Sequence, residues 1–161
     1  GYRDFHFISD SIEYSEDGGK MNIVLTVEEG PLYKYRNFSW EGMTLFDQQI
    51  LERTLALEKG KKYSDEDFNM AVFSRVQGLY LDRGYIYSRV EPKITPVEED
   101  SLDIHFVITE NHQVSINQIS ILGNTRTREN VIRRQLRVYP GDIYNQDLIA
   151  RSYREIMMLN Y

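Results

Sequence analysis

The sequence repeats itself with a period of 81 residues, and this repeat constrains the fold more than any other feature. When the chain is aligned with itself at that offset, apolar residues, turn glycines and identical residues coincide over one long ungapped stretch. The coincident pairs include Met21 with Leu102, Trp40 with Ile121, Gly42 with Gly123, Arg53 with Arg134, and Tyr63 with Tyr144. The chain is therefore predicted to consist of tandem copies of one structural unit.

Strand periodicity appears at two places in each period. Residues 102–109 (LDIHFVIT) and 21–28 (MNIVLTVE) alternate apolar and polar side chains, which predicts strands with one buried face. The strand that opens a unit, at 33–40 or 114–121, has apolar residues that change parity halfway along. A bulge or break in this strand would return them to one face, and we predict it in both copies.

Two helices are predicted between the first and last strands of a unit. The first follows a glycine turn, and the second begins at Ser64, whose side chain can cap it, and ends near Gly84. A strand at 86–95 and an exposed turn then lead back to 102–109. We therefore predict an α+β fold of tandem β-α-α-β-β units, each a three-stranded mixed sheet that two helices cover on one face.

The chain begins and ends out of phase with this unit. Residues 1–29 are predicted to be the C-terminal hairpin of a preceding unit, 30–110 a complete unit, and 111–161 the first strand and two helices of a following unit. One hypothesis is head-to-tail self-association, in which the hairpin of one molecule completes the last unit of another. The plainer interpretation is that the chain is part of a longer array.

The composition excludes several classes of function. The chain has no cysteine, which rules out disulfides and thiolate metal sites, and its net charge of −6 disfavours binding of nucleic acid. No apolar run in the sequence is long enough to cross a membrane. His6, His105 and His112 occupy unrelated positions, and acidic residues cluster in predicted turns. We therefore expect no enzymatic activity, no cofactor and no metal site.

The second copy of the repeat contains a run that resembles the polypeptide-transport-associated (POTRA) domains of the BamA family of outer-membrane assembly factors. The matching residues are Gly123, Asn124, Thr125, Thr127, Ile132, Arg134, Leu136, Gly141, Asp142 and Tyr144. The run LYLDRGYIYSRVEP at 79–92 is also similar to the second helix and following strand of that family. The middle unit departs from the pattern, because Met43 stands where the family has asparagine.

The resemblance implies a non-catalytic scaffold in the periplasm, within a bacterial outer-membrane protein. It implies as partners unfolded outer-membrane proteins, accessory assembly lipoproteins and the protein's own C-terminal membrane barrel. Residues 111–161 would then be similar to the unit next to that barrel. The same motifs allow an alternative, a TamA-like or two-partner-secretion transporter that recognises one defined partner.

The strand predicted at 86–95 contains Pro92 and precedes Pro96, which predicts a position at a sheet edge, where missing N–H groups break no ladder. An open edge can bind an extended peptide through its backbone, by β-augmentation. The candidate residues are Ile86, Tyr87, Ser88, Arg89, Val90, Glu91, Lys93 and Ile94. The alternative is that the prolines, together with Arg89 and Lys93, blunt this edge against pairing. The resemblance favours binding.

The predicted first helix of the last unit is basic, and we expect it to dock an acidic accessory protein or an anionic membrane surface. Its arginines are Arg126, Arg128, Arg133, Arg134 and Arg137. Gly42, Gly123 and Asn124 are predicted to form structural turns rather than a binding motif.

Overall fold

The computed structural model of the chain describes residues 2–15 and 19–159. In chain order the elements are β1 (His6–Tyr14), β2 (Met21–Glu28), β3 (Lys34–Glu41), α1 (Gln48–Leu55), α2 (Asp65–Asn69), a π-helical segment (Met70–Val76), α3 (Gln77–Leu81), β4 (Arg89–Val97), β5 (Ser101–Thr109), α4 (Glu129–Arg133) and α5 (Gln146–Met157).

The middle of the chain forms a three-stranded mixed sheet in the order β3-β5-β4. β5 runs parallel to β3 and antiparallel to β4, and helices cover one face of the sheet. Along β5, Leu102, Ile104, Phe106 and Ile108 are buried and alternate with half-buried residues, as the period-two pattern predicts. The predicted α+β unit is therefore confirmed for the middle of the chain.

The predicted parity change in the opening strand is a β-bulge. The β3–β5 register shifts between Tyr35 and Asn37. The shift means that β3 has one extra residue at this point. Tyr35 on one side of the bulge, and Phe38 and Trp40 on the other, can therefore pack on the same core. The Trp40 ring stacks on Phe106 at a centroid distance of 4.3 Å.

The second helix of the middle unit is one continuous helical stretch made of α2, the π-helical segment and α3. Ser64 caps it as predicted, because its side-chain oxygen accepts a hydrogen bond from the N–H of Asp67 at 3.3 Å. Gly84 follows the helix with a φ of +83°, the left-handed conformation expected after a helix end. The π-helical turns in the middle were not predicted from the sequence.

β1 and β2 form a separate two-stranded antiparallel hairpin. Its apolar side chains are largely exposed, including Ile23 and Leu25 at 56% and 55%. The hairpin meets the middle unit where the Tyr33 hydroxyl donates to the Asp4 carboxylate at 2.7 Å. The hairpin occupies the repeat position of β4 and β5, but no helix of the described residues covers it.

The strand predicted over 114–121 does not form, and this part of the prediction is wrong. Only Ser115 makes an isolated bridge, to Ile143. In the middle unit β3 is held by β5, and the described residues place no counterpart of β5 beside 114–121, so its N–H and C=O groups lack a ladder partner. The helix predicted to carry the arginines is also short, since α4 spans only Glu129–Arg133.

Even so, the last part of the chain repeats the backbone bonds of the middle unit. In the middle unit, the Tyr35 N–H donates to the C=O of Lys61 (3.0 Å) and the Tyr63 N–H donates to the C=O of Tyr33 (2.8 Å). At an offset of 81 the same two bonds join Ile116 to Asp142 (2.8 Å) and Tyr144 to Val114 (3.0 Å). The two segments therefore share a local fold that does not require β5.

A polar joint connects the middle unit to the last part of the chain. The Asp82 carboxylate accepts the N–H of Asp147 at 2.9 Å, in the first turn of α5. The side-chain amide of Asn145, which caps α5, donates to the C=O of Asp82 at 2.9 Å. The N–H of Val114 donates to the C=O of Gly84 at 2.9 Å. The end of α3 is thereby attached to the start of α5.

Candidate peptide-binding edge

β4 is an outer strand of the three-stranded sheet, and within residues 2–15 and 19–159 nothing pairs with its outer edge. It pairs with β5 from Arg89 opposite Thr109 to Val97 opposite Ser101, with no shift of register. The prediction that the proline-bearing strand lies at an edge is therefore confirmed. Whether this edge binds a peptide stays a prediction.

The strand begins three residues later than predicted, at Arg89 rather than Ile86. Ile86 and Tyr87 lie in a turn, and Ser88 is buried at 6% exposure. The Ser88 N–H donates to the C=O of Tyr85 at 3.0 Å, and its own C=O accepts the side-chain amide of Gln77 at 2.8 Å. Because both backbone groups of Ser88 are occupied, this residue cannot pair with an added strand.

The prolines show which backbone groups of β4 face away from β5. Pro92 lies opposite Phe106, and Pro96 lies opposite Leu102. Because proline has no N–H, these are the pairs that exchange no hydrogen bonds in an antiparallel ladder. The even-numbered residues of β4 therefore direct their backbone groups to the open edge.

The pairing of β5 with β3 gives the same orientation of the β4 backbone groups independently. The N–H of Lys34 donates to the C=O of Asp100 at 2.8 Å, directly before β5 begins. Alternation along the strand then directs the even-numbered residues of β5 towards β3 and the odd-numbered ones towards β4. The N–H groups of Val90 and Ile94 therefore point to the open edge.

The side chains of β4 alternate between the helix-covered face and the opposite face. Val90 is buried, while Pro92 and Ile94 are half-buried. Arg89, Glu91, Lys93 and Thr95 are exposed on the other face. An added strand of alternating apolar and polar residues would match both faces.

A shallow groove lies at the start of this edge, where β4 leaves the turn. The rings of Tyr87 and His112 are 5.1 Å apart, and the side-chain amide of Asn111 donates to the C=O of Tyr87 at 2.7 Å. Arg89 and Glu91 line the same groove. It offers one aromatic contact and two opposite charges to a side chain of an added strand.

The other outer strand is less available for pairing. The first part of β3 is covered by the segment 60–63, because the Gly60 N–H donates to the C=O of Tyr35 at 2.7 Å and Tyr63 bonds Tyr33. The bulge after Tyr35 interrupts the remaining edge. β4 is therefore the longer and more regular of the two edges.

The end of β5 is fixed by Glu110. Its carboxylate accepts the N–H groups of Thr44 (2.8 Å) and Leu45 (2.9 Å), the hydroxyl of Thr44, and the hydroxyl of Tyr80 (3.3 Å). Burial alone would raise the pKa of Glu110, but these hydrogen bonds outweigh it and hold the pKa below its usual value. The turn that follows β3 is thereby tied to the end of the central strand.

Gly42, in that turn, has a φ of +80°, and a Cβ built on it would lie 2.1 Å from the backbone oxygen of Ile108. Its repeat counterpart Gly123 has a similar φ of +81°, with open space around the same position. The side-chain amide of Asn124 donates to the C=O of Thr127 at 3.1 Å. The positive φ of both glycines and the hydrogen bond of Asn124 support structural turns at all three positions.

The arginines predicted to form one docking surface differ in their partners. Arg133 pairs with Glu129, and Arg137 pairs with Glu155 at 2.8 Å. Arg126 and Arg128 precede α4, Arg134 follows it, and all three are exposed. The charge available to a partner is therefore concentrated on Arg126, Arg128 and Arg134.

The exposed face of the sheet holds a cluster that the sequence did not reveal. The Ser39 hydroxyl lies 2.8 Å from Nδ1 of His105, and a carboxylate oxygen of Glu41 lies 3.1 Å from Nε2. The residue types are those of a hydrolytic triad, but the Glu41 side chain is 68% exposed, so its charge is screened. The cluster serves as a polar ladder between β3 and β5.

Residues 2–15 and 19–159 hold no group of three or more acidic, histidine or cysteine side chains arranged to bind a metal ion. None of their helices has the length and apolar character needed to cross a membrane.

The fold and its repeat define a class of protein, tandem β-α-α-β-β modules that offer an open sheet edge. The family model for POTRA, described as a surface antigen variable number repeat, matches residues 33–111 and 114–161. The chain therefore belongs to the POTRA family.

The chain is similar in sequence to outer-membrane assembly factors of two bacteria. The chain is 31% identical over its whole length to outer membrane protein assembly factor BamA of Neisseria meningitidis and 27% identical to that of Nitratidesulfovibrio vulgaris. It spans about a fifth of each of these relatives, at 20% and 21% of their lengths.

Solved structures show the same fold. The crystal structure of Haemophilus influenzae BamA POTRA3-5 superposes with a TM-score of 0.81 at 20% identity, over 100% of this chain and 64% of that one. The BamA structure from Haemophilus ducreyi that lacks POTRA domains 1-3 gives a TM-score of 0.54 at 20% identity. It covers 69% of this chain and 20% of that one.

Proposed function

We propose that this chain is a periplasmic, non-catalytic part of an outer-membrane protein assembly factor of the BamA type, and that β4 binds strands of unfolded outer-membrane proteins by β-augmentation. The observation that carries the proposal is the open edge of β4, nine residues long and without a register shift. The POTRA family match and the names of the relatives support the cellular setting.

Backbone pairing suits a client of variable sequence. Main-chain hydrogen bonds give affinity with little dependence on side chains, and the two faces of β4 require only an alternation of apolar and polar residues. Such alternation is the pattern of strands in outer-membrane barrels. A scaffold that holds many different clients needs this kind of low selectivity.

The domain organisation is a second part of the proposal. Residues 1–29 would close a preceding POTRA unit, 30–110 form a complete unit, and 111–161 open a following one.

A third part concerns an accessory lipoprotein, whose acidic surface would dock on Arg126, Arg128 and Arg134. The charges of these arginines have no partner among the ion pairs of the described residues. Charge reversal at Arg126 and Arg128 should then release such a partner.

The test of the edge uses a labelled peptide copied from a barrel strand and two variants at one position. Ile94→Pro removes an open-edge N–H, whereas Ile94→Val keeps it, and the pair with β5 is unaffected in both. We expect Ile94→Pro to bind roughly fivefold more weakly than Ile94→Val by fluorescence anisotropy, the effect of losing about one hydrogen bond. Thermal unfolding would verify that both variants fold.

Equal binding by Ile94→Pro and Ile94→Val would contradict the proposal. In cells, a photo-crosslinking residue at Lys93 should capture unfolded outer-membrane proteins, and one at the exposed Glu58 of the α1–α2 connection should not. Capture at Glu58 alone would place the binding surface elsewhere.

A further inference from the structure

The open edge of β4 has more acceptors than donors. Its outward-facing residues are Val90, Pro92, Ile94 and Pro96, and each has a C=O group. Only Val90 and Ile94 have an N–H. The edge therefore presents four acceptors and two donors to a strand that approaches it.

We propose that Pro92 and Pro96 set the strength with which β4 holds an added strand, by leaving the edge short of donors so that capture is reversible. This inference rests on the proposed function of the edge. An added antiparallel strand would exchange two hydrogen bonds with Val90 and two with Ile94. Opposite each proline it would donate one bond and receive none.

The regular backbone of β4 favours strong pairing, and the two prolines are the backbone features that oppose it. The β1–β2 and β3–β5 ladders each contain a register shift, whereas the β4–β5 ladder contains none. A regular edge of nine residues is the kind that pairs strongly with other strands. Removing two donors weakens pairing along this edge without bending it.

The cost of the prolines to the fold itself is small. Both lie on the side of the ladder that makes no bonds to β5, so the sheet loses no hydrogen bond. Pro92 is half-buried and Pro96 is exposed. Valine at either position would keep an apolar, strand-compatible side chain and add one N–H to the open edge.

The experiment compares Pro92→Val, Pro96→Val and the double variant with Thr95→Val. The control adds a β-branched apolar residue to the same strand, but its N–H faces β5 and the open edge gains no donor. We expect each proline replacement to bind the barrel-strand peptide roughly fivefold more tightly, and the double variant roughly 25-fold more tightly. The tighter binding should come from slower dissociation of the peptide. A kinetic biosensor with surface-immobilised peptide would measure the dissociation constant and the dissociation rate constant.

The outcomes separate this inference from the function on which it rests. If Ile94→Pro binds more weakly than Ile94→Val, but Pro92→Val and Pro96→Val match Thr95→Val, the inference is overturned and the edge remains the binding site. If none of the proteins binds the peptide, including the double variant, both fail. If Pro92→Val does not fold, the exposed Pro96→Val carries the same test alone.

Discussion

The middle unit and the last part of the chain share a sequence pattern, but among the described residues only the middle unit contains a three-stranded sheet. Both contain the opening segment, the glycine turn and the pair of backbone bonds that hold the segment before the second helix. Only the middle unit has β4 and β5 against these elements. In the described residues the opening half of a unit has the same local shape at both places, whereas a strand and a core are present only where β4 and β5 lie beside it.

The surfaces left without a hairpin are apolar. In the last part of the chain, an apolar groove is lined by Ile116, Ile119, Leu136, Val138, Ile149, Ser152, Tyr153 and Ile156. The repeat counterparts of Ile116 and Leu136 are Tyr35 and Leu55, which are buried in the core of the middle unit. The groove is thus the counterpart of a core surface.

The largest effect is expected at the residue that completes the middle core. Phe106 is fully buried, whereas its repeat counterpart Leu25, in the β1–β2 hairpin, is 55% exposed. Phe106→Ala should lower the free energy of unfolding by about 3–5 kcal/mol. Leu25→Ala should change it by about 0.5 kcal/mol or less. Urea denaturation of the two variants measures the difference, and similar effects would contradict the comparison.

The paired turn glycines provide the second contrast. Gly42→Ala must strain a positive φ and also displace the Ile108 carbonyl, whereas Gly123→Ala meets only the strain of φ. We expect about 3 kcal/mol or more of destabilisation for Gly42→Ala and about 1 kcal/mol for Gly123→Ala. Thermal unfolding of both variants checks this, and a larger loss at Gly123 would show that the contact with Ile108 is not the cause.

A smaller, pH-dependent effect is expected at the Glu110 anchor. Its pKa is lowered in the folded state, so its contribution to stability is complete above its ordinary pKa of 4.5 and is lost as the pH falls through the lower folded value. Glu110→Gln should cost about 1–2 kcal/mol at pH 7 and progressively less below pH 4.5. Glu29→Gln, at the exposed repeat counterpart, is the control. A difference between wild type and Glu110→Gln that stays constant down to pH 3 would contradict this assignment.

The smallest effect concerns two copies of the chain. Head-to-tail association, in which the β1–β2 hairpin of one molecule covers the apolar groove of another, stays a prediction. We expect weak self-association of this 161-residue chain in sedimentation velocity, which Leu25→Asp should reduce. The exposed Val24→Asp, on the opposite face of β2, is the matched control. Equal sedimentation of all three proteins would contradict this hypothesis.

Much of the middle unit could be predicted because its signals are local. Period-two alternation identified β5, the parity change identified the bulge after Tyr35, and Ser64 marked a helix start. The prolines at 92 and 96 marked an edge strand, since their missing N–H groups exclude a central position. Each of these features depends on a few neighbouring residues.

The candidate site was predicted less completely, because long-range contacts decide its details. Ser88 resembled a strand residue, but the amide of Gln77 and the carbonyl of Tyr85 occupy its backbone. The cluster of Ser39, Glu41 and His105 depends on the parallel pairing of two strands separated by more than 60 residues. Sequence periodicity carries no information about such contacts.

By itself the sequence determined the repeat, the order of elements in a unit, the bulge and the turn glycines, because backbone sterics and side-chain periodicity act locally. The tertiary structure shows how β3, β5 and β4 combine into one sheet in the middle of the chain. The segment 114–121 has the same apolar pattern as β3, but among the described residues a ladder and a core form only where β5 lies beside β3. It also decided that a side chain at residue 42 would meet the backbone of β5, whereas in the described residues one at residue 123 would meet only the strain of its positive φ.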